Sequence, residues 1–150
     1  MTSTVRKYVK AFTYEPKIKA VRDGSITQTI RPDPKGSYVQ VGDEILFHGW
    51  SGKPYRSPWS WRLRVKVTEI MNLYIYRDMF FIREAPDWPR RWDSPLANEL
   101  AQLDGIKPPT GEALRDVLAG MDKYGLDEYE TRKDRSHAYQ VIRWRDNNVV

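Results

Sequence analysis

The sequence predicts an α+β fold, with strands that form a sheet and short helices in the connections between them. Residues 59–68 alternate strictly between apolar and polar side chains, which is typical of a strand that buries one face. Residues 96–103 and 114–121 instead repeat apolar residues at helical spacing. Because runs of strands are joined by connections that contain the helices, antiparallel pairing is expected to dominate the sheet.

Further strands are predicted where β-branched and aromatic residues are concentrated. These segments are residues 5–13, 25–31, 44–50 and 138–145. Residues 73–81 are apolar and aromatic, and they predict another strand or an extended arm. Prolines, glycines and charged residues predict loops at residues 51–57, 86–92 and 127–136.

Capping residues delimit three short helices. The first has Pro16 in its opening turn and ends at Gly24. The second begins after a Ser94 cap, with proline in its first turn, and stops at Gly105. The third is predicted over residues 111–124.

Length and composition limit the classes to which this protein can belong. The 150 residues fit one domain over residues 1–150, and the absence of cysteine excludes disulfides and thiolate metal sites. The only two histidines, His48 and His137, lie far apart in the sequence, so we expect no metal site, and no motif predicts a cofactor. No apolar run approaches the ~18 residues of a membrane span, and no signal peptide is recognisable. We therefore expect a cytoplasmic protein that does not associate with membranes.

The charge is unevenly distributed along the chain. Residues 1–66 contain 13 Lys and Arg against five Asp and Glu, whereas residues 67–150 contain 12 against 15. A basic half favours a surface that binds a polyanion such as nucleic acid. The alternative interpretation is an ordinary solvated surface with chance clustering of charge.

Short motifs in the first half resemble those of a known family. Residues 23–31 end in Thr29-Ile30-Arg31, and a Gly42-Asp43 turn then opens the strand at residues 44–50. The order of these motifs, together with a closing strand at residues 139–144, resembles that of the ASCH family. This family is similar to the PUA RNA-binding domain. The resemblance covers most of the chain. It implies a small, mostly antiparallel PUA-like β-barrel of five or six strands, with short helices outside, that binds RNA or a modified nucleotide.

The chain departs from this family where the family commonly has a lysine, because Ser25 and Ile26 occupy that position. Members that resemble acetylcytidine amidohydrolases use the lysine together with a threonine and a glutamate. Only the threonine carries over, to Thr29, while Glu69 and Glu84 are candidates for a general base. Hydrolysis of RNA or of modified nucleosides, as a ribonuclease or an amidohydrolase, is therefore an alternative to binding alone.

The predicted ligand cleft lies between the Thr29–Arg31 strand, the first helix and the loop at residues 51–59. The candidate ligands on the strand and the helix are Lys17, Lys19, Thr27, Gln28, Thr29 and Arg31. The two threonines and the arginine share one strand face by its period of two, so they are placed to bind a phosphate or a base edge. An exposed strand face with cross-strand threonine pairs is the structural alternative.

The other side of the predicted cleft is aromatic and basic. Its candidate ligands are Trp50, Lys53, Tyr55, Arg56, Trp59, Arg62 and Arg64. RNA bases stack on exposed aromatic rings, and long cations contact phosphates. Trp61 lies on the apolar stripe of its strand and is assigned to the core. For each cation, a solvated strand face is the structural alternative.

Trp88 and Trp92, which lie beside two arginines, suggest a third function as a protein-interaction module. A hydrophobic anchor for the surrounding loop is the structural alternative. The sequence identifies no particular protein partner.

Overall fold

The computed structural model describes residues 5–12, 15–32, 39–76, 79–121 and 137–145. These residues form an α+β structure, as predicted, with seven strands and three short helices. In chain order the elements are β1 (Lys7–Ala11), α1 (Glu15–Asp23), β2 (Gln28–Pro32), β3 (Glu44–Trp50), β4 (Trp59–Tyr76), β5 (Met79–Ile82), β6 (Ala85–Arg91), α2 (Pro95–Leu103), α3 (Gly111–Met121) and β7 (His137–Trp144).

The described strands form one mixed sheet. Its main path runs β1-β3-β4-β5-β6, and β7 pairs with both β2 and β4. β1 is parallel to β3, whereas the pairs β3–β4, β4–β5 and β5–β6 are antiparallel. Among the described strands the sheet is not closed into a barrel, so the α+β class is confirmed and the barrel is not.

The chain divides into two compact units. Unit 1 consists of Met1–Thr27, Val39–Ile70 and Arg143–Val150, and unit 2 consists of Gln28–Tyr38 and Met71–Ile142. Strands β4 and β7 each contribute residues to both units.

The core of unit 1 lies on one face of the β3–β4 pair. Ile45 is opposite Val65 in the register and Phe47 is opposite Leu63, and the first three of these side chains are buried. The Phe47 ring lies 4.7 Å from the ring of Phe12 on one side and 4.9 Å from that of Trp144 on the other. Burying each of these large side chains contributes roughly 1.5–3 kcal/mol. The alternation predicted for residues 59–68 is confirmed, because the even positions are exposed and the odd ones are buried or half-buried.

A turn fixes the start of β3 against β1. Gly42 adopts a φ of 95°, a left-handed conformation that favours glycine. The buried Asp43 carboxylate then accepts hydrogen bonds from the backbone N–H of Arg6, at 3.1 Å, and of Gln40, at 2.8 Å. The N–H of Glu44 donates to the carbonyl of Arg6, and the parallel β1–β3 ladder begins there. The predicted Gly-Asp turn therefore sets the register of the parallel pair.

In unit 2 the end of β4 continues into an antiparallel meander with β5 and β6. Leu73 pairs with Ile82 and Ile75 pairs with Phe80 in the β4–β5 register, and all four side chains are buried. The single strand or arm predicted at residues 73–81 is therefore wrong, since these residues belong to two strands. The loop predicted at residues 86–92 is wrong as well, because Ala85–Arg91 is β6. Among the described strands, β6 lies at the end of the path and pairs with β5 on one side. Proline, which has no backbone N–H to donate, is tolerated in such an edge strand.

Helices α2 and α3 pack closely in unit 2. The Ser94 side chain accepts the N–H of Ala97 at 3.3 Å, which confirms the predicted cap. The Asn98 side chain accepts the N–H of Gly111 at 2.9 Å and so ties α2 to the first residue of α3. The predicted end of α3 at residues 122–124 and the predicted loop at 127–136 lie outside the described residues. Within the described part of the chain, the helices are too short and too polar to cross a membrane.

Two glycines of α3 provide a matched test of this packing. A Cβ at Gly111 would overlap the carbonyl of Trp92 and the side chain of Ala97, whereas a Cβ at Gly120 would meet no atom within 4 Å. We expect Gly111→Ala to lower the free energy of unfolding by roughly 1–3 kcal/mol through overpacking. Gly120→Ala should raise it by roughly 0.5–1 kcal/mol by restricting the unfolded chain. Urea unfolding of both variants measures the difference, and equal midpoints would contradict the described helix contact.

Candidate functional site

The predicted ligand residues on β2 lie inside unit 2. Gln28 and Thr29 are both 2% exposed. The Gln28 amide nitrogen donates to the carbonyl of Leu100 at 3.2 Å and to the carboxylate of Asp104 at 3.3 Å. These bonds satisfy a buried amide and hold β2 against α2, which is a structural role.

Arg31 lies on β2 with Gln28 and Thr29, in unit 2. Its Nε donates to the Thr29 hydroxyl at 3.3 Å, in agreement with the expectation that the two side chains share a strand face. Burial lowers the pKa of Arg31 to about 10, and the negative charge of Asp104 opposes this shift. The guanidinium therefore remains charged at neutral pH, and Thr29, the hydroxyl considered for catalysis, is enclosed beside it.

Unit 1 contains the candidates on α1, together with Thr27 and with Glu69 of β4. Lys17 is only 4% exposed, with its ammonium 5.5 Å from the centre of the Phe12 ring, whereas Lys19 is exposed. Thr27 accepts the N–H of Trp144 through its backbone carbonyl. Glu69, considered as a general base, forms an ion pair with Arg143 at 3.4 Å. An ion pair this exposed contributes little to stability.

The structure brings the predicted aromatic residues of unit 1 together in an aromatic cluster, formed by His48, Trp50, Tyr55 and Trp59. The rings of His48 and Trp59 stack with centroids 3.8 Å apart and an angle of 16° between their planes. Trp50 lies edge-on to His48 at 4.9 Å and tilted against Tyr55 at 5.1 Å. The cluster forms where the β3–β4 register shifts between Gly49 and Trp50, so that Trp50 pairs directly with Trp59.

Hydrogen bonds within the loop at residues 51–58 present Tyr55 to solvent. The Ser57 hydroxyl donates to the carbonyl of Lys53 at 2.8 Å and accepts the N–H of Gly52 at 3.0 Å. Tyr55 adopts a φ of 64° and is 87% exposed. A left-handed backbone is costly for a tyrosine, and an exposed aromatic ring gains little from burial, so neither feature stabilises the fold.

Cations lie next to the aromatic cluster. The guanidinium of Arg62 lies 5.0 Å from the centre of the Trp59 ring, a cation–π contact. Arg62, Arg64 and Lys66 are exposed on one face of β4, as predicted, and Lys53 and Arg56 are exposed in the loop. The predicted loop and β4 residues therefore form one surface of unit 1 that is both aromatic and basic.

A cleft of about 350 Å³ opens beside this surface in unit 1. It is lined by residues of β1, α1, β3, β4 and the loop, namely Phe12, Ile18, Arg22, Gly49, Trp50, Gly52, Pro54, Ser60 and Trp61. Trp50 belongs both to this lining and to the aromatic cluster. The predicted cleft lay between the Thr29–Arg31 strand, the helix that carries Lys17 and Lys19, and the loop. The described lining includes the loop and that helix, through Ile18 and Arg22, and no residue of β2 is among it.

Sequence reasoning missed Arg22 and Gly49. Arg22 follows Ile18 by four residues, and this helical spacing would have placed both on one face of α1. Its guanidinium lies 5.6 Å from the centre of the Trp61 ring. A Cβ at Gly49 would overlap the Trp61 indole, so glycine is needed there for the indole to lie against the strand. No pattern in a single sequence identifies that close approach.

The described lining of the cleft offers few hydrogen-bonding side chains. Among the lining residues that the structure describes, these are an arginine, a serine and the two tryptophans, and none carries a carboxylate. Within the described residues, no group of three or more His, Asp or Glu is arranged to hold a metal ion.

Trp92, a candidate for protein interaction, is 4% exposed and its ring packs against that of Phe80, with centroids 4.7 Å apart. The side chain of Trp88 lies outside the described residues.

No protein-family model, curated protein or solved structure matches this chain significantly.

The end of α1, which carries Arg22, offers a titration test. The Asp23 carboxylate accepts hydrogen bonds from the side chain and the backbone N–H of Ser25, and these bonds lower the pKa of Asp23 below its ordinary value of 3.8. The resulting stabilisation is present above pH 3.8 and is lost as the pH falls through the lowered pKa. We expect Ser25→Ala to raise the pKa of Asp23, as measured by NMR of the side-chain carboxyl, whereas Thr68→Ala should leave it unchanged. A pKa that is the same with and without the Ser25 hydroxyl would contradict this capping geometry.

Proposed function

We propose that unit 1 binds single-stranded RNA or a nucleotide, with the aromatic cluster as a stacking platform and the neighbouring cations as phosphate ligands. The observation that carries this proposal is Tyr55. Its exposed ring lies 5.1 Å from the ring of Trp50 on a left-handed backbone that a tyrosine adopts only at a cost. A ring held in this way is suited to stack on an unpaired base, and stacking contributes roughly 1–3 kcal/mol per base.

The charge of unit 1 supports a polyanionic ligand. This unit contains 13 Lys and Arg against six Asp and Glu, whereas unit 2 contains 12 against 14. Arg62, Arg64 and Lys66 are alternate residues of β4, so their Cα atoms lie roughly 6.6 Å apart along the strand. A row of exposed cations that ends at a stacked aromatic cluster combines the two features by which proteins hold single-stranded nucleic acid.

The kinship with ASCH and PUA-like domains is part of the proposal. It is supported by the order of elements, in which α1 ends at a left-handed Gly24, β2 follows with its Thr-x-Arg end, and the Gly42-Asp43 turn opens β3. The polar residues of β2 make hydrogen bonds within unit 2, so the proposed ligand surface is built from the loop and β4 residues of unit 1.

Binding is favoured over hydrolysis by the surroundings of the candidate catalytic groups. Thr29 is buried beside Arg31, and Glu69 is paired with Arg143. Among the described lining residues of the cleft, none carries a carboxylate that could act as a general base. A protein-interaction surface centred on Trp92 is not favoured either, because this side chain is in the core of unit 2.

The role of Tyr55 can be separated from its backbone conformation. Tyr55→Gly removes the ring and relieves the left-handed strain, so we expect the stability of the protein to be unchanged or higher. Its affinity for a short single-stranded RNA should fall by roughly 5- to 150-fold, the loss that corresponds to one stacked base. Tyr55→Phe keeps the ring and should bind like the parent. Fluorescence anisotropy with labelled RNA measures both, and a glycine variant with parental affinity would rule out the stacking role.

The cationic row can be tested through the salt dependence of binding. Replacing Arg62 and Arg64 together with Gln should reduce the slope of log affinity against log salt concentration by roughly 1.4, since each phosphate contact to a single strand contributes roughly 0.7. The matched control replaces Arg83 and Lys107, two exposed cations of unit 2, and should leave the slope unchanged. Equal slopes for the two double variants would show that this face of β4 does not contact phosphate.

A further inference from the structure

The cleft of unit 1 combines aromatic rings and polar groups with one cation. Three aromatic side chains, Phe12, Trp50 and Trp61, lie among its lining residues, and its volume of about 350 Å³ is in the range of small-ligand pockets. Among the lining residues that the structure describes, Arg22 is the only charged one. A fully charged phosphate is poorly matched to such a lining, because a single cation would have to offset its loss of hydration. A planar, uncharged ring that offers hydrogen-bond acceptors to one arginine is better matched.

Arg22 lies over an aromatic ring of the cleft. Its guanidinium is 5.6 Å from the centre of the Trp61 ring, and the Trp61 indole lies close against Gly49. Among the described residues Arg22 makes no ion pair, and the adjacent Asp23 carboxylate accepts two bonds from Ser25. A cation–π contact uses none of the guanidinium N–H donors, so they are available to a ligand in the cleft.

The pattern of donors and acceptors distinguishes the four bases. Guanine presents two adjacent acceptors, O6 and N7, that match the paired donors of a guanidinium. Adenine and cytosine place an amino donor at the corresponding edge, where it would face the N–H groups of the arginine, and uracil offers one carbonyl there without the neighbouring N7.

We infer that this cleft accepts an unstacked guanine of single-stranded RNA, that the base lies against Trp50, and that Arg22 determines the preference by bonding O6 and N7. Trp50 also belongs to the aromatic cluster, so the cleft continues the stacking surface proposed above. The inference rests on the proposed function and adds the identity of one base.

The test compares short oligouridines that carry one central variable nucleotide. Guanosine and inosine both have O6 and N7, and they should bind equally well. Adenosine should bind roughly 5- to 150-fold more weakly, the discrimination expected of one bidentate arginine. 7-Deazaguanosine lacks the N7 acceptor and should also bind more weakly than guanosine. Binding that is equal for the four oligonucleotides, yet dependent on salt, would overturn the guanine inference and leave the proposed function intact. A complete lack of RNA binding would overturn both.

Variants of Arg22 test base recognition directly. Arg22→Gln replaces the paired donors by one donor and one acceptor, the pattern that matches adenine N7 and N6, so the preference should shift from the guanosine to the adenosine oligonucleotide. Arg83→Gln, at an exposed position of unit 2, is the control and should retain the preference for guanosine. An Arg22→Gln protein that unfolds at the parental temperature and still prefers guanosine would overturn the inference.

Competition with mononucleosides distinguishes a base site from a phosphate site. Guanosine, which carries no phosphate, should displace the labelled guanosine oligonucleotide more effectively than uridine monophosphate does. If uridine monophosphate competes better, and this advantage disappears in Arg22→Gln, then Arg22 binds phosphate and the assignment of the cleft to guanine is wrong.

Discussion

The pairing of β3 with β4 is the constraint on which the rest of unit 1 depends. A strand presents alternate residues to opposite faces, so one choice of register places Ile45, Phe47 and Val65 together in the core. The same choice leaves Arg62 and Arg64 on the outer face. A slip by one residue would bury two arginines and expose the core, and this cost is what fixes the register. The basic face is therefore a consequence of how the core is formed.

The shift of register between Gly49 and Trp50 creates the features of this sheet on which the proposed binding depends. Beyond the shift, Trp50 pairs with Trp59, and the loop between them returns Tyr55 to the Trp50 ring. Before the shift, the absence of a side chain at Gly49 lets the Trp61 indole lie against the strand, where it contributes to the cleft. Trp50 lines that cleft and also contacts the aromatic cluster. One local irregularity thus accounts for the cluster, the cleft and the residue that they share.

The polar residues of β2 show how a sequence motif can be read in two ways. A strand with two hydroxyls, an amide and a guanidinium resembles a ligand surface when it is considered alone. In unit 2 the amide of Gln28 instead bonds to α2 and to Asp104, and Arg31 bonds to Thr29. Such bonds are required of polar groups that are withdrawn from water, because an unsatisfied buried group is costly. The motif supports the interior of unit 2, and the exposed cations of the loop and β4 are left to carry the proposed function.

The sequence by itself determined the features that follow from local periodicity and capping. These are the α+β class, a strand within residues 5–13, the strand at residues 44–50, the alternation of β4, the Ser94 cap, the helix end at Gly24 and the loop after Trp50. Tertiary structure decided whether a polar side chain faces water or a partner, as at Gln28 and Lys17, and whether a proline-containing segment pairs as the edge strand β6. It also decided that Arg22 of α1 and Trp61 of β4 meet at one cleft, because the Trp61 indole needs the space that Gly49 of β3 leaves. Periodicity and capping act over a few neighbouring residues, whereas burial and close approach are set by segments distant in the sequence, and a single sequence does not reveal which of these meet.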